Sequence, residues 1–178
     1  MSDSKKKKAE EFSAEPFDFT AKEVVFDPPD EGIHEAVFVD IVDMGVQTYK
    51  DNPPTQRIAL VWQLEDMVPD VEPEQHHVVH MWCSPSFGKK SNLRKALDGM
   101  VSGGIDPKDA RKGIRPVEYL GTRCCLVIKH QASADGSKVY ANIDAVTVSK
   151  TKKKPWDTST YVRPPYLQKK EDSAEITD

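Results

Sequence analysis

Aromatic rings interleaved with lysines and arginines are the residues of this chain with the clearest chemistry to offer: Tyr49 and Lys50, Arg57, Trp62, Trp82, Phe87, Lys89, Lys90, Arg94 and Lys95, then Lys129, Lys138 and Tyr140. A stacked base gains about 1 to 3 kcal/mol on such a ring, and a neighbouring cation neutralises a phosphate and releases a counterion. The set suits a ligand that alternates flat rings with negative charge. Each residue also has a plainer use. A tryptophan in an alternating strand is often core, and a run such as Lys89 to Lys95 is often a solvated helix face.

Other chemistries find less support. His76, His77, His80 and Cys83 crowd one stretch, but in a strand His76 and His80 share one face while His77 and Cys83 point to the other. Zinc needs at least three converging protein ligands, so no metal is expected there, nor any other cofactor. Cys83, Cys124 and Cys125 form an odd set without CxxC spacing, which reads as reduced, buried thiols. No GxxxxGK[ST] loop, nucleophile elbow, HExxH or paired-carboxylate signature is present, and an enzyme is not expected.

A formal net charge of −4 over 178 residues argues against a uniformly basic binder, but the charge is unevenly placed. Residues 1–31 carry a net −4 and residues 32–85 a net −7, whereas residues 86–154 carry +9. One side of a folded domain can thus present a positive field while the whole stays acidic. The longest apolar runs, Ile58 to Trp62 and Cys124 to Ile128, are far short of a membrane span. The lysines at positions 5 to 8 are followed by Ala9-Glu10-Glu11 where a secretory leader needs apolar residues, so the cytoplasm is the expected compartment.

The elements that must position these groups can be read in order. Residues 1–31 mix charge and proline without a period and predict a flexible arm, in which Phe12, Phe17 and Phe19 could dock. A first strand runs from Gly32 to about Gly45, and Val46 to Pro54 is a loop. A second strand, Gln56 to Leu64, places Ile58, Leu60, Trp62 and Leu64 in alternation, and a third follows over Gln75 to Cys83. Ser91 caps a helix through Leu93, Ala96, Leu97 and Met100 that stops at Gly103-Gly104, and Asp106-Pro107 starts a short turn of helix. Arg123 to His130 and Val139 to Ser149 pair across an Asp135-Gly136 turn. Residues 151–178 read as a flexible tail.

Three meandering strands, a helix and a hairpin in that order predict a mainly β domain over residues 32–150: a five-stranded OB-fold barrel with a helix between strands three and four. Such barrels bind single strands or oligosaccharides across strands two and three, between the loop joining strands one and two and the loop joining strands four and five. Tyr49 and Lys50 fall in the first loop, Lys138 and Tyr140 at the second, and Arg57 and Trp62 on strand two.

Ile41-Val42-Asp43-Met44-Gly45-Val46-Gln47, Lys90-Ser91-Asn92-Leu93-Arg94-Lys95, Gly121-Thr122-Arg123-Cys124-Cys125-Leu126-Val127 and Tyr140-Ala141-Asn142-Ile143 together resemble a tailed-phage family. That family is described as OB-fold single-stranded DNA-binding proteins of phage replication and recombination. The resemblance spans about residues 32 to 148 and implies binding of single-stranded DNA without sequence preference, inside a bacterial host. The acidic end, Glu171, Asp172, Glu175 and Asp178, is similar to tails that recruit replication or recombination proteins, although Lys169 and Lys170 nearly cancel it and a solvated terminus explains it as well. The alternative from a different class is a protein-interaction module that grips replication or host factors without touching DNA. OB binders range from monomers to tetramers, and the sequence leaves homo-oligomerisation open.

Overall fold

The computed structural model describes residues 27–48 and 50–168. Tyr49, the phenylalanines of the arm and the acidic C-terminal end lie outside the described residues. Five strands form one antiparallel sheet: β1 (Gly32–Gln47), β2 (Thr55–Met67), β3 (His76–Cys83), β4 (Arg123–Ala132) and β5 (Val139–Val148). Their order is β3-β2-β1-β4-β5, which leaves β3 and β5 at the two edges. A helix α1 (Asn92–Met100), a short helix α2 (Pro107–Lys112) and a 3₁₀ turn (Pro116–Tyr119) fill the chain between β3 and β4.

Alternation assigns the inner face. Phe38 of β1, Ile58, Leu60, Trp62 and Leu64 of β2, Val79 and Cys83 of β3, and Cys124, Leu126 and Ile128 of β4 share one buried cluster. Burying such a set is the main favourable term of the fold. Helix α1 closes this cluster with Leu93, Ala96, Leu97 and Met100, one apolar stripe at helical spacing. The Ser91 side chain accepts from the Arg94 amide at 3.1 Å and satisfies one of the free donors of its first turn. At the other end Asp98 receives the Ile105 amide at 3.0 Å and so holds the Gly103-Gly104 turn.

The opposite face is also covered. Val42, Ala59 and Val61 are buried there together with Leu167, and Tyr161 packs at their margin. Residues 151–168, read from the sequence as the start of a flexible tail, therefore lie on the sheet as a strap. The physical reason is an apolar outer face on β1 and β2 that needs a cover, supplied by rings and Leu167 scattered through a proline-rich segment. Residues 27–31 are tied down as well. His130 donates to the Pro29 carbonyl at 2.7 Å, and the His130 amide donates to Glu31 at 2.8 Å.

Candidate nucleic-acid interface

The strap begins at a polar hub on β1 and β4. Glu35 accepts from Arg123 Nε and from Ser149 Oγ, both at 2.8 Å, and from the Cys125 thiol at 3.1 Å. Burial pushes the Glu35 carboxyl up, but these donors outweigh it and hold it below its ordinary value. Arg123 also reaches Glu65 at 3.2 Å and the Lys154 carbonyl at 3.2 Å, and its guanidinium lies 5.2 Å from the Trp156 ring centre. Trp156 then stacks on His76 with centroids 5.4 Å apart and donates its indole N–H to Gln63 at 2.8 Å.

A second clamp lies further along. Arg163 grips Asp40 with two bonds of 2.8 Å, and the Tyr161 hydroxyl donates to the same carboxylate at 2.9 Å. Burial raises the Asp40 carboxyl, and the Arg163 and Tyr161 donors more than reverse it. Burial and the Asp40 contact push the Tyr161 hydroxyl up, keeping it a donor. Tyr166 sits 5.5 Å from the His80 ring, and Leu167 completes the cover over Ala59 and Val61.

The ring-and-cation residues sort into two patches and a remainder. Arg57 with Ser84, Ser86, Lys89, Lys90 and Ser91 lines a polar cleft of about 600 Å³ where β3 leaves the sheet for α1. The ion pairs among the described residues engage His34, Arg94, Arg123, Lys129 and Arg163, and none of them includes the three cations of this cleft. Trp82 belongs to the same end of the sheet: its pairing partner is Ala59, on the outer face with Arg57, and it is 39% exposed. Lys50 is exposed in the turn after β1 with a left-handed backbone.

The second patch lies at the β4–β5 hairpin. Lys138 is exposed, Lys129 pairs with Asp144 at 3.3 Å, and Tyr140 is 51% exposed. Tyr140 lines a cleft of about 630 Å³ with His76, His80 and the strap residues Arg163 and Tyr166. The two edge strands, β3 and β5, thus face each other across this cleft. At about 3.3 Å per residue, Trp82 lies roughly 20 Å along β3 from His76 and roughly 7 Å from His80, both of which line this cleft.

Three predicted residues leave the set or enter it differently. Trp62 is fully buried between Phe38 and the rest of the inner cluster, its ring 5.2 Å from Phe38, so it cannot stack on a base. Its phase along β2 is that of Ile58, Leu60 and Leu64, which points it inward. Phe87 is half-buried against the core and lies under the Arg94 guanidinium at 4.9 Å, while Arg94 also bonds Asp98 at 3.0 Å. Neither is among the residues that line the polar cleft. Lys95 is exposed on α1.

The three thiols carry no reactive charge. Burial pushes Cys83 up to about 11 and Cys124 up to about 12, and it raises Cys125 as well. Burial lowers His80 and His77, which stay neutral at pH 7. Cys83 faces the core while His76 and His80 face the strap, so these groups do not converge on a point. Among the described residues no cluster of His, Cys, Asp or Glu is placed to hold a metal ion, and no helix is long and apolar enough to cross a membrane. The sequence reading weighed His76 and His80 only as metal ligands and did not single out Gln63; together these three form the floor under the strap. Comparison with family models and with curated proteins gives no match.

Proposed function

We propose that this chain binds single-stranded DNA without reading its sequence and without catalysing a reaction, as an OB-fold protein of phage replication and recombination in a bacterial host cytoplasm. The observation that carries the proposal is the polar cleft at the start of α1, where Arg57, Lys89 and Lys90 stand without carboxylate partners among the described residues, beside the exposed ring of Trp82. Cations with serine hydroxyls suit phosphates, and the ring suits a base. The barrel reading draws on the sheet order, since β3 and β5 are the strands that meet in a closed five-stranded barrel of this type, and here both edges line one cleft. A fluorescence-anisotropy titration with labelled oligo-dT at low and at raised salt tests it. Binding that weakens with salt is expected, and no binding at low salt ends the reading.

The covered outer face favours a second reading, a protein-interaction module. An apolar face already suited to an extended stretch of polypeptide could accept one from a replication or host protein. Pulldown from nuclease-treated lysate, combined with an absence of oligo-dT binding, would select it.

A further inference from the structure

We propose that the strap of residues 156–167 and a single DNA strand are alternative occupants of the same surface, the outer row of β3 with its β2 neighbours, and that His76 and His80 are base-stacking residues once the strap lifts. The inference rests on the single-strand reading and adds to it a site and a competitor.

The row is defined by alternation. Val79 and Cys83 of β3 point into the core, so His76, Val78, His80 and Trp82 share the outer face. This row joins the two patches described above, with Arg57 and Trp82 at one end and Tyr140 at the other. A strand passing from one patch to the other has to cross the ground the strap now covers. Three of the four row residues have strap partners: Trp156 stacks on His76, Tyr166 sits against His80, and Val78 packs with the Leu167 cluster.

The chemistry of these contacts is the chemistry a base would use. Trp156 offers a flat ring to the His76 imidazole at an interplanar angle of 20°, and Gln63 accepts a ring N–H from it. A nucleobase presents the same face and the same kind of N–H donor. Burial lowers the His80 imidazole, so that ring needs no phosphate directly above it. The strap is held on the β1–β2 side of the row by the Asp40 clamp and Leu167, and at its start by Trp156, which bonds Gln63, stacks on His76 and lies against Arg123. Lys152, Lys153 and Lys154 stand before Trp156 with only Pro155 between, so a lifted strap keeps cations tethered beside the opened face.

Two measurements on the full chain test the inference. The first compares oligo-dT affinity of the native chain with that of Arg163→Ala/Leu167→Ala, which loosens the strap; a competitor that fills the site most of the time reduces apparent affinity by the open fraction, so the variant should bind about fivefold tighter or more. His80→Ala should weaken binding in both backgrounds. The second follows hydrogen exchange at the strap amides of Tyr161, Leu167 and Gln168, which close single turns within the strap, onto the Thr158, Pro164 and Pro165 carbonyls; such turns are marginal once the strap is undocked. Saturating oligo-dT should speed their exchange. Equal affinity of variant and native chain, or strap amides that are unchanged or slowed by oligo-dT, overturns the strap inference while leaving single-strand binding in place. No binding by either protein at low salt overturns the binding reading and the inference with it. Should the double variant lack a cooperative melt, the exchange experiment on the native chain still decides.

Discussion

The indole N–H of Trp62 is a buried donor without a hydrogen-bond partner among the described residues, with the weakly accepting Cys124 thiol beside it. Such a group gives back part of what its ring contributes by packing, which makes the two obvious substitutions diverge. Trp62→Phe removes the stranded donor and keeps most of the contact with Phe38, so it should cost no more than about 1.5 kcal/mol in urea denaturation. Trp62→Ala should cost about 3 to 5 kcal/mol by opening a cavity in the inner cluster. Neither should alter oligo-dT affinity of the folded protein, whereas Trp82→Ala should weaken it without destabilising the fold comparably, because Trp82 lies on the opposite face and is 39% exposed. Equal loss of affinity from both tryptophans in folded protein would show that the inward phase of Trp62 is not what separates them.

At the scale of elements, α1 and the strap are fixed by different physics. Helix α1 lies so close to β5 that a Cβ on Gly99 would run into the Val146 carbonyl, so only a residue without a side chain fits. Gly99→Ala should lower stability by about 1 to 3 kcal/mol despite the higher helix propensity of alanine, with thermal denaturation as the readout. The strap depends instead on carboxylates. Glu35 and Asp40 both titrate below their ordinary values of 4.5 and 3.8 in the folded protein, so the stability they lend is complete above those values and is lost as pH falls through the lower folded ones. Acidification from pH 6 should therefore leave the strap amides protected until pH passes below about 4, and Asp40→Asn should lose most of that dependence. The central elements were legible because their signals are local. Ser91 caps α1, Asp135-Gly136 turns the hairpin, and alternation marks β2, with errors of only a few residues such as the extension of β1 to Gln47 and β2 to Met67. The strap was not legible, since Trp156, Tyr161 and Leu167 follow no period and sit among prolines and lysines. Its trace was on the other partner: Ala59 and Val61 make β2 apolar on both faces, and a strand buried twice needs two covers.

For the molecule as a whole, the question is whether a chain of net charge −4 can hold a polyanion, and the answer lies in where its cations stand. Arg57, Lys89 and Lys90 converge from β2 and from the approach to α1 on one cleft, although Arg57 is one of only two basic residues in a segment of net −7. Folding thus draws a cation out of the acidic half and adds it to the basic one. Local field, not net charge, then governs encounter with a strand. If each of the three neutralises one phosphate, each contributes about 0.7 to the slope of log affinity against log salt on a single strand. Arg57→Ala/Lys89→Ala/Lys90→Ala should accordingly reduce that slope by about 2 and weaken binding most at low salt, with little change where salt has already displaced the ionic contribution. Replacing Lys108, Lys112 and Arg115 instead, three cations on α2 and just beyond it that line neither cleft, changes the net charge by the same amount. That control should leave the slope within about one unit of the native value, and an equal fall in both variants would mean that bulk charge rather than the cleft holds the strand.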